Sequence, residues 1–242
     1  MKTIFHQSSA LRKPALYLYA CVVGICIAAG ALYFHNERAA KLQYAATDAD
    51  TSLIVRAVGD SDHVIGRRNA PIQLIVYSDL SCPYCNNFFA RTLPMLQAKY
   101  GDHIVIAYRH LPLEAIHPRA LREAEASECS AILGGEEAFW KFERAVYDNP
   151  DFERGLDDAA LTNIAKMIGL AVSRFDQCLA SGEALSRIRN DMTEAAVAGL
   201  NYTPSTVLKS AHRATIVKGS AYPRFTSAID YLMRVEKEIS ER

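Results

Sequence analysis

The chain has 242 residues, of which 50% are hydrophobic and 22% charged, and its 27 basic and 27 acidic side chains leave no formal net charge. That balance excludes the electrostatic footprint of a nucleic-acid binder. There is no internal repeat or low-complexity tract, and the length beyond the first segment suits one core rather than two.

The first element is apolar. Ala15 to Phe34 carry no charge, whereas Lys2, Arg12 and Lys13 precede them and no acid occurs before Glu37. About 20 such residues match a bilayer core, and the flanking charge puts the N-terminus on the cytoplasmic side. Residues 1–14 are therefore expected in the cytoplasm and 15–34 as a transmembrane signal-anchor. The alternative is a cleaved signal peptide ending in the small residues Ala28-Ala29-Gly30-Ala31, which would release a soluble periplasmic protein. A lipoprotein signal ending at Cys21 fits poorly, because Tyr19 is bulky and most of the apolar run follows that Cys. The stretch from His35 to Arg68 is polar and mixed in sign, with Asp48, Asp50, Asp60 and Asp62 in its second half. Residues 35–63 read as a tether, in which Leu53-Ile54-Val55 is either an edge strand or an exposed apolar spot.

Ile72 to Ser78 is nearly continuously apolar and reads as a central strand. Cys82-Pro83-Tyr84-Cys85 follows it and precedes a helical pattern that runs to Tyr100 and that Pro94 should kink. Two thiols at this spacing lie one helical turn apart, and the first sits at a helix N-terminus, whose free N–H groups and dipole favour a thiolate. Strand, CxxC and helix together build a thioredoxin-like redox site, whose chemistry is thiol–disulfide exchange. Ile104 to Arg109 is a second strand. From Pro118 to about Leu200 the pattern is helical, broken at Gly134-Gly135, Asn149-Pro150 and Gly169. Ser205–Leu208 and Ala214–Val217 are short strands, and Pro223 opens a last helix carrying Phe225, Ile229 and Leu232 on one face. The order is β-α-β, a helical block, then β-β-α, which completes a thioredoxin sheet.

Six cysteines bear on the compartment. Cys21 and Cys26 fall in the apolar span and act as small hydrophobes. The other four permit two disulfides in an oxidising compartment. Cys129 shares an apolar helix stripe with Ala126 and Leu133. Cys178 shares one with Phe175 and Leu179, after a Ser173-x-x-Asp176 capping signature. Both point inward, and a structural Cys129–Cys178 bond is expected on compartment grounds; buried free thiols are the alternative.

The stretch IVYSDLSCPYC, then YRHLPL with HPRA after it, SECS, FDQC and NYTPS, resembles the DsbA-like thioredoxin family, whose members are periplasmic or membrane-anchored. CPYC alone would be weaker, since glutaredoxins can carry it. The likeness covers roughly Val64 to the C-terminus. It implies an α/β thioredoxin fold over 64–242 with a helical domain inserted at about 117–200, behind one N-terminal transmembrane helix. It makes Cys82 the attacking cysteine and Cys85 the resolving one. Pro83 and Tyr84 become the dipeptide that tunes the redox potential, and Thr203-Pro204 the cis-proline pair facing the site. Many members place a buried acid six residues before the first cysteine, where this chain has Val76. Asp79 could substitute, or could cap or brace the loop.

The function expected is oxidation of cysteine-bearing exported clients through the Cys82–Cys85 disulfide, by an enzyme held in the bacterial inner membrane and facing the periplasm. A membrane redox partner would reset the pair, and no cofactor is needed beyond the disulfide itself. A tethered disulfide reductase or isomerase is the first alternative. A non-enzymatic chaperone is the second. His110 and His117 lack metal-ligand spacing, so no metal is expected. His117-Pro118 reads as a helix start. Phe139, Trp140 and Phe142 read as core, and Glu136-Glu137 as a solvated helix start.

Overall fold

The computed structural model describes residues 54–241 together with Gly30. The expected cytoplasmic segment, nearly all of the membrane span and tether residues 35–53, with Asp48, Asp50 and Leu53, lie outside the described residues. Among the described residues no helix is long and apolar enough to cross a membrane.

Five strands form one sheet in the order β1-β3-β2-β4-β5. They are β1 (His63–Gly66), β2 (Ile72–Ser78), β3 (Ile104–His110), β4 (Ser205–Lys209) and β5 (Ala214–Lys218). β2 pairs parallel with β3, from Ile72↔Ile104 to Ser78↔His110, and antiparallel with β4. β1 and β5 add antiparallel edges. The near-continuous apolar run of β2 follows from this central place, because side chains alternate between two buried faces. Ile72, Leu74 and Val76 meet Phe88, Leu96, Phe225, Ile229 and Leu232 on one face. Ile75 and Tyr77 meet Val55, Ala195, Val207 and Ile216 on the other.

The helices are α1 (Pro83–Asn87), α2 (Leu93–Tyr100), α3 (Ala120–Tyr147), α4 (Asp158–Met167), α5 (Val172–Ser181), α6 (Leu185–Val197) and α7 (Tyr222–Ser240). Between α1 and α2 the backbone widens into a π-turn over Phe88–Thr92, where the Leu93 N–H reaches the Phe88 carbonyl. Pro94 accounts for it. Its ring would strike the carbonyl four residues back in an α-helix, and it has no N–H to lose, so the turn opens instead. At Gly135 α3 leaves helical geometry with φ 70 and ψ −163, a region open to glycine. Cys129 of α3 and Cys178 of α5 are disulfide-bonded, with Cα atoms 5.8 Å apart. In the chain-entropy model, closing a loop of 49 residues contributes about 4 kcal/mol.

Two local expectations differ from the structure. The Ser173-x-x-Asp176 capping signature is not realised. The N-cap of α5 is Ala171, without a side-chain cap bond, and Asp176 Oδ1 instead accepts from Thr162 of α4 at 2.7 Å. The tether reading of residues up to 63 also fails over its last part. Val55, Asp62 and His63 are buried, and β1 begins at His63. Of Leu53-Ile54-Val55 the two described residues are in no strand: Ile54 is exposed, and Val55 plugs the core beside Tyr77.

The cause is Arg109 on β3, which is fully buried. Its guanidinium grips Asp62 through Nε at 2.9 Å and Nη2 at 3.0 Å. It also reaches Glu194 of α6 at 2.8 Å and donates to the carbonyls of Arg56 and Ala57. Arg56 itself bridges to Asp191 and Glu194. A buried cation needs such partners, and they hold the supposed tether against the sheet. His63 joins from the far side, with Nε2 3.2 Å from Glu128 and Nδ1 2.8 Å from Glu136. Glu136 also accepts from the Val64 N–H and from Trp140 Nε1, so it fastens β1, while Glu137 is the solvated one, paired with Lys141.

Candidate active site

Cys82 and Cys85 stand where β2 hands over to α1. Cys82 is the helix N-cap, at φ −88 and ψ 120, and Pro83 takes the first turn, where its missing N–H costs nothing. The Cys85 and Asn86 N–H groups both donate to the Cys82 carbonyl at 3.1 Å. Cys82 is 4% exposed and Cys85 wholly buried, whereas Tyr84 is 66% exposed. The two residues between the cysteines therefore form the outer lip of the site.

The loop before Cys82 is braced by acids. Asp79 accepts from the Ser81 N–H at 2.8 Å and the Leu113 N–H at 2.8 Å, and lies 2.8 Å from His117 Nδ1. Its carboxylate is thus occupied in holding the loop. Glu123 of α3 accepts from Ser81 Oγ at 2.5 Å and from the Leu156 N–H at 2.8 Å. His117 precedes α3 by one turn and serves the loop. His110 is buried with Nε2 2.8 Å from Glu128. Among the described residues no group of His, Cys, Asp and Glu has metal-ligand geometry.

Across from α1, the Thr203–Pro204 peptide bond is cis. The Cys82 thiol donates to the Thr203 carbonyl at 3.5 Å. The Thr203 hydroxyl is buried without a partner of ordinary hydrogen-bond geometry. Five of the sequence-derived site residues thus meet at one place: Cys82, Pro83, Tyr84, Thr203 and Pro204, with Cys85 beneath them. Cys129 and Cys178 sit in the helical insertion, in the same apolar cluster as Cys82 and Cys85. A groove of about 1160 Å³ on the insertion, floored by Trp140, Ile164 and Met167, contains none of the site residues.

The two thiols are electrostatically unequal. The Cys82 thiol is lowered to about 6, first because the Cys85 thiol donates to its sulfur. Thr203 and the helix N–H groups of Cys85 and Tyr84 add to this, and burial opposes it. Burial pushes the Cys85 thiol well above its ordinary value, and the neighbouring Cys82 sulfur adds to that rise. At neutral pH one sulfur is a nucleophile and the other holds its proton. Thiolate absorbance of the reduced protein should therefore titrate with a midpoint of about 6, and Cys85→Ala should raise that midpoint. A wild-type midpoint near the free value of about 8.5 would remove the asymmetry. Because this pKa is lowered, the thiolate's stabilisation of the reduced fold is complete above the free value and fades as pH falls through about 6.

Residues beyond the motif were out of reach of sequence reasoning. Glu123, Tyr108 and Tyr147 surround the cysteines from distant segments, and each reads locally as an ordinary helix or strand residue.

The thioredoxin family model matches residues 59–230. The crystal structure of Pseudomonas aeruginosa DsbA2 has a TM-score of 0.62 and 26% identity, covering 73% of this chain and 97% of that one. That of Wolbachia pipientis α-DsbA1 has a TM-score of 0.61 and 26% identity, covering 75% and 94%. A Na(+)/H(+) antiporter NhaA 1 of Mycolicibacterium vanbaalenii is 34% identical over 148 residues, 60% of this chain. The chain spans only 23% of the length of that relative.

Proposed function

The chain belongs to the thioredoxin family, as a DsbA-like member, and on that premise we propose that it oxidises the thiols of exported client proteins through its Cys82–Cys85 disulfide. The DsbA-like neighbours support the coarser statement, a thiol–disulfide oxidoreductase. The observation that carries the oxidising direction is the unequal pair. A thiolate held at Cys82 stabilises the reduced form, and a stabilised reduced form makes the disulfide a stronger oxidant.

In the proposed cycle a client thiolate attacks Cys82 Sγ, and Cys85 Sγ leaves. A second client thiolate then attacks the client sulfur of the mixed disulfide, and Cys82 leaves as the thiolate. The client gains a disulfide and the CxxC pair gains two electrons. A membrane redox partner returns the pair to the disulfide, and no cofactor takes part. The apolar run 15–34 anchors the enzyme in the bacterial inner membrane with the redox domain in the periplasm. The sodium–proton exchange in the antiporter's name stays with that protein.

One experiment addresses direction and side together. In intact cells the Cys82–Cys85 pair should resist a membrane-impermeant maleimide and accept it after brief external reductant. A pair labelled without reductant would favour the reductase or isomerase reading. Labelling that appears only after lysis would place the domain in the cytoplasm.

A further inference from the structure

Asn87 closes α1, the helix that carries Cys85 and begins at Cys82. It is half-buried, and its amide donates to Ser220 Oγ at 2.9 Å. Thr92, buried at the end of the π-turn, donates through Oγ1 to the Ser220 carbonyl at 2.5 Å. Ser220 therefore ties the segment between β5 and α7 to the helix of the redox pair.

That segment is in turn the neighbour of the Thr203-Pro204 loop. The pairing of β4 with β2 and with β5 ends at Ser205, opposite Tyr77 and Lys218. Residues 203 and 204 lie past that point, where the sheet no longer holds them. There the Gly219 N–H donates to the Pro204 carbonyl at 2.9 Å. Gly219 has φ 79, a region open to glycine, and turns the chain from this bond to Ser220. The contacts close a ring. From the Cys82 sulfur α1 leads to Asn87, Asn87 holds Ser220, and Gly219 holds Pro204. The Thr203 carbonyl then returns to Cys82 Sγ at 3.5 Å. This last link is the weak one, because a thiol is a poor donor. It is also the gap that a client must enter. A client sulfur bonded to Cys82 brings its own backbone past the Thr203 carbonyl, whereas a small thiol brings none.

We propose that Asn87 is a positioning residue of the exchange reaction: through Ser220 it sets the gap between the Cys82 sulfur and Thr203, and so the fit of a client's backbone beside its reacting cysteine. This rests on the oxidoreductase reading. Asn87 touches neither sulfur and acts through the loop. Thr203 also helps to lower the Cys82 thiol, so the same tie acts on the thiolate. Asn87 and Ser220 carry no charge, and Cys85, the titratable group against that sulfur, stays in place when they are changed. Whatever they do to Cys82 they do by placement.

The test uses the full chain, oxidised, with an extended peptide bearing one cysteine and with β-mercaptoethanol, and the reduced chain for thiolate absorbance. In the first oxidation step the added thiolate bonds to Cys82 Sγ, the Cys82–Cys85 bond breaks, and its electron pair goes to Cys85. Asn87→Ala should slow this step about 5-fold for the peptide and less than about 2-fold for β-mercaptoethanol, the scale of one lost hydrogen bond. The thiolate midpoint should rise by about 0.5 pH unit as Thr203 draws away. Ser220→Ala should act in the same direction, which keeps the test decisive if Asn87→Ala fails to fold. Ser220→Thr, which retains the hydroxyl, should behave as wild type. A merely structural role would lower the melting temperature and leave both the midpoint and the ratio of the two rates alone. Variants whose ratio and midpoint overlay wild type, or in which both thiols slow equally, overturn the proposal. If wild type oxidises neither thiol, the oxidoreductase reading falls, and this inference with it.

Discussion

Cys82→Ala should abolish thiol–disulfide exchange, and Cys85→Ala should leave a protein that captures clients and cannot return them. Loss of the attacking sulfur is expected to lower the rate by on the order of 10³-fold or more, because no other group in the site can do its work. The two variants differ because the two sulfurs differ. Cys82 is lowered to about 6 and faces Thr203, while Cys85 is buried and protonated beneath it. With Cys85 gone, the Cys82 thiolate attacks a client disulfide, one client sulfur leaves as its thiolate, and the mixed disulfide waits for a client thiol to release it. Covalent complexes should accumulate on a non-reducing gel and vanish on reduction. If Cys82→Ala trapped clients and Cys85→Ala did not, the assigned roles would be reversed. If Cys82→Ala kept full client-folding activity, the site would be a binding groove rather than a redox centre, which is the chaperone reading.

Arg109→Ala should destabilise the domain by about 3–5 kcal/mol, the cost of leaving a buried charge without its partner. Asp62 and Glu194 would lose the guanidinium, and the carbonyls of Arg56 and Ala57 would lose a donor. For a domain of this size that corresponds to a drop of roughly 6–20 °C in melting temperature, at about 2–4 °C per kcal/mol. The pH dependence should change too. In wild type Asp62 is held below its usual value by Arg109, against burial. Its contribution is therefore present above the unfolded value of about 3.9 and lost as pH falls through the lower folded value. Without Arg109, burial of Asp62 is opposed only by the Gly59 N–H and the Arg56 charge, and the stability that Asp62 contributes above its unfolded value should shrink. Replacing both partners by apolar residues, as in Arg109→Met with Asp62→Leu, should cost less than Arg109→Ala. Urea denaturation of the three variants measures this. A loss below about 1 kcal/mol for Arg109→Ala would mean that solvent reaches the network and screens it.

The redox motif, the central strand and the breaks in the helical block were legible in the sequence because each is a local signal. CPYC places two sulfurs one turn apart whatever surrounds it. Ile72 to Ser78 is apolar on both faces because both faces are buried. Pro94 disturbs its helix through its own ring. The pairing of Cys129 with Cys178 was legible only in part: apolar stripes turned both inward, but their meeting depends on how α3 packs on α5. The edge strand β1 was missed because His63-Val64-Ile65-Gly66 is short and follows a polar run. Its strand state comes from pairing with β3 and from the ties to Glu128 and Glu136.

What the sequence by itself determined is the chemistry: two cysteines at a helix start, a Thr-Pro pair and a thioredoxin-like order of strands and helices. What only the tertiary structure decided is the environment of that chemistry. Glu143 is a helix acid like any other until α3 packs it against Tyr108 and Tyr147 and removes it from water. Asp62 is a tether acid until Arg109, 47 residues later, is buried beside it. Charge and proton affinity depend on desolvation and on partners far along the chain. Neither exists before the core closes, so no local pattern records them.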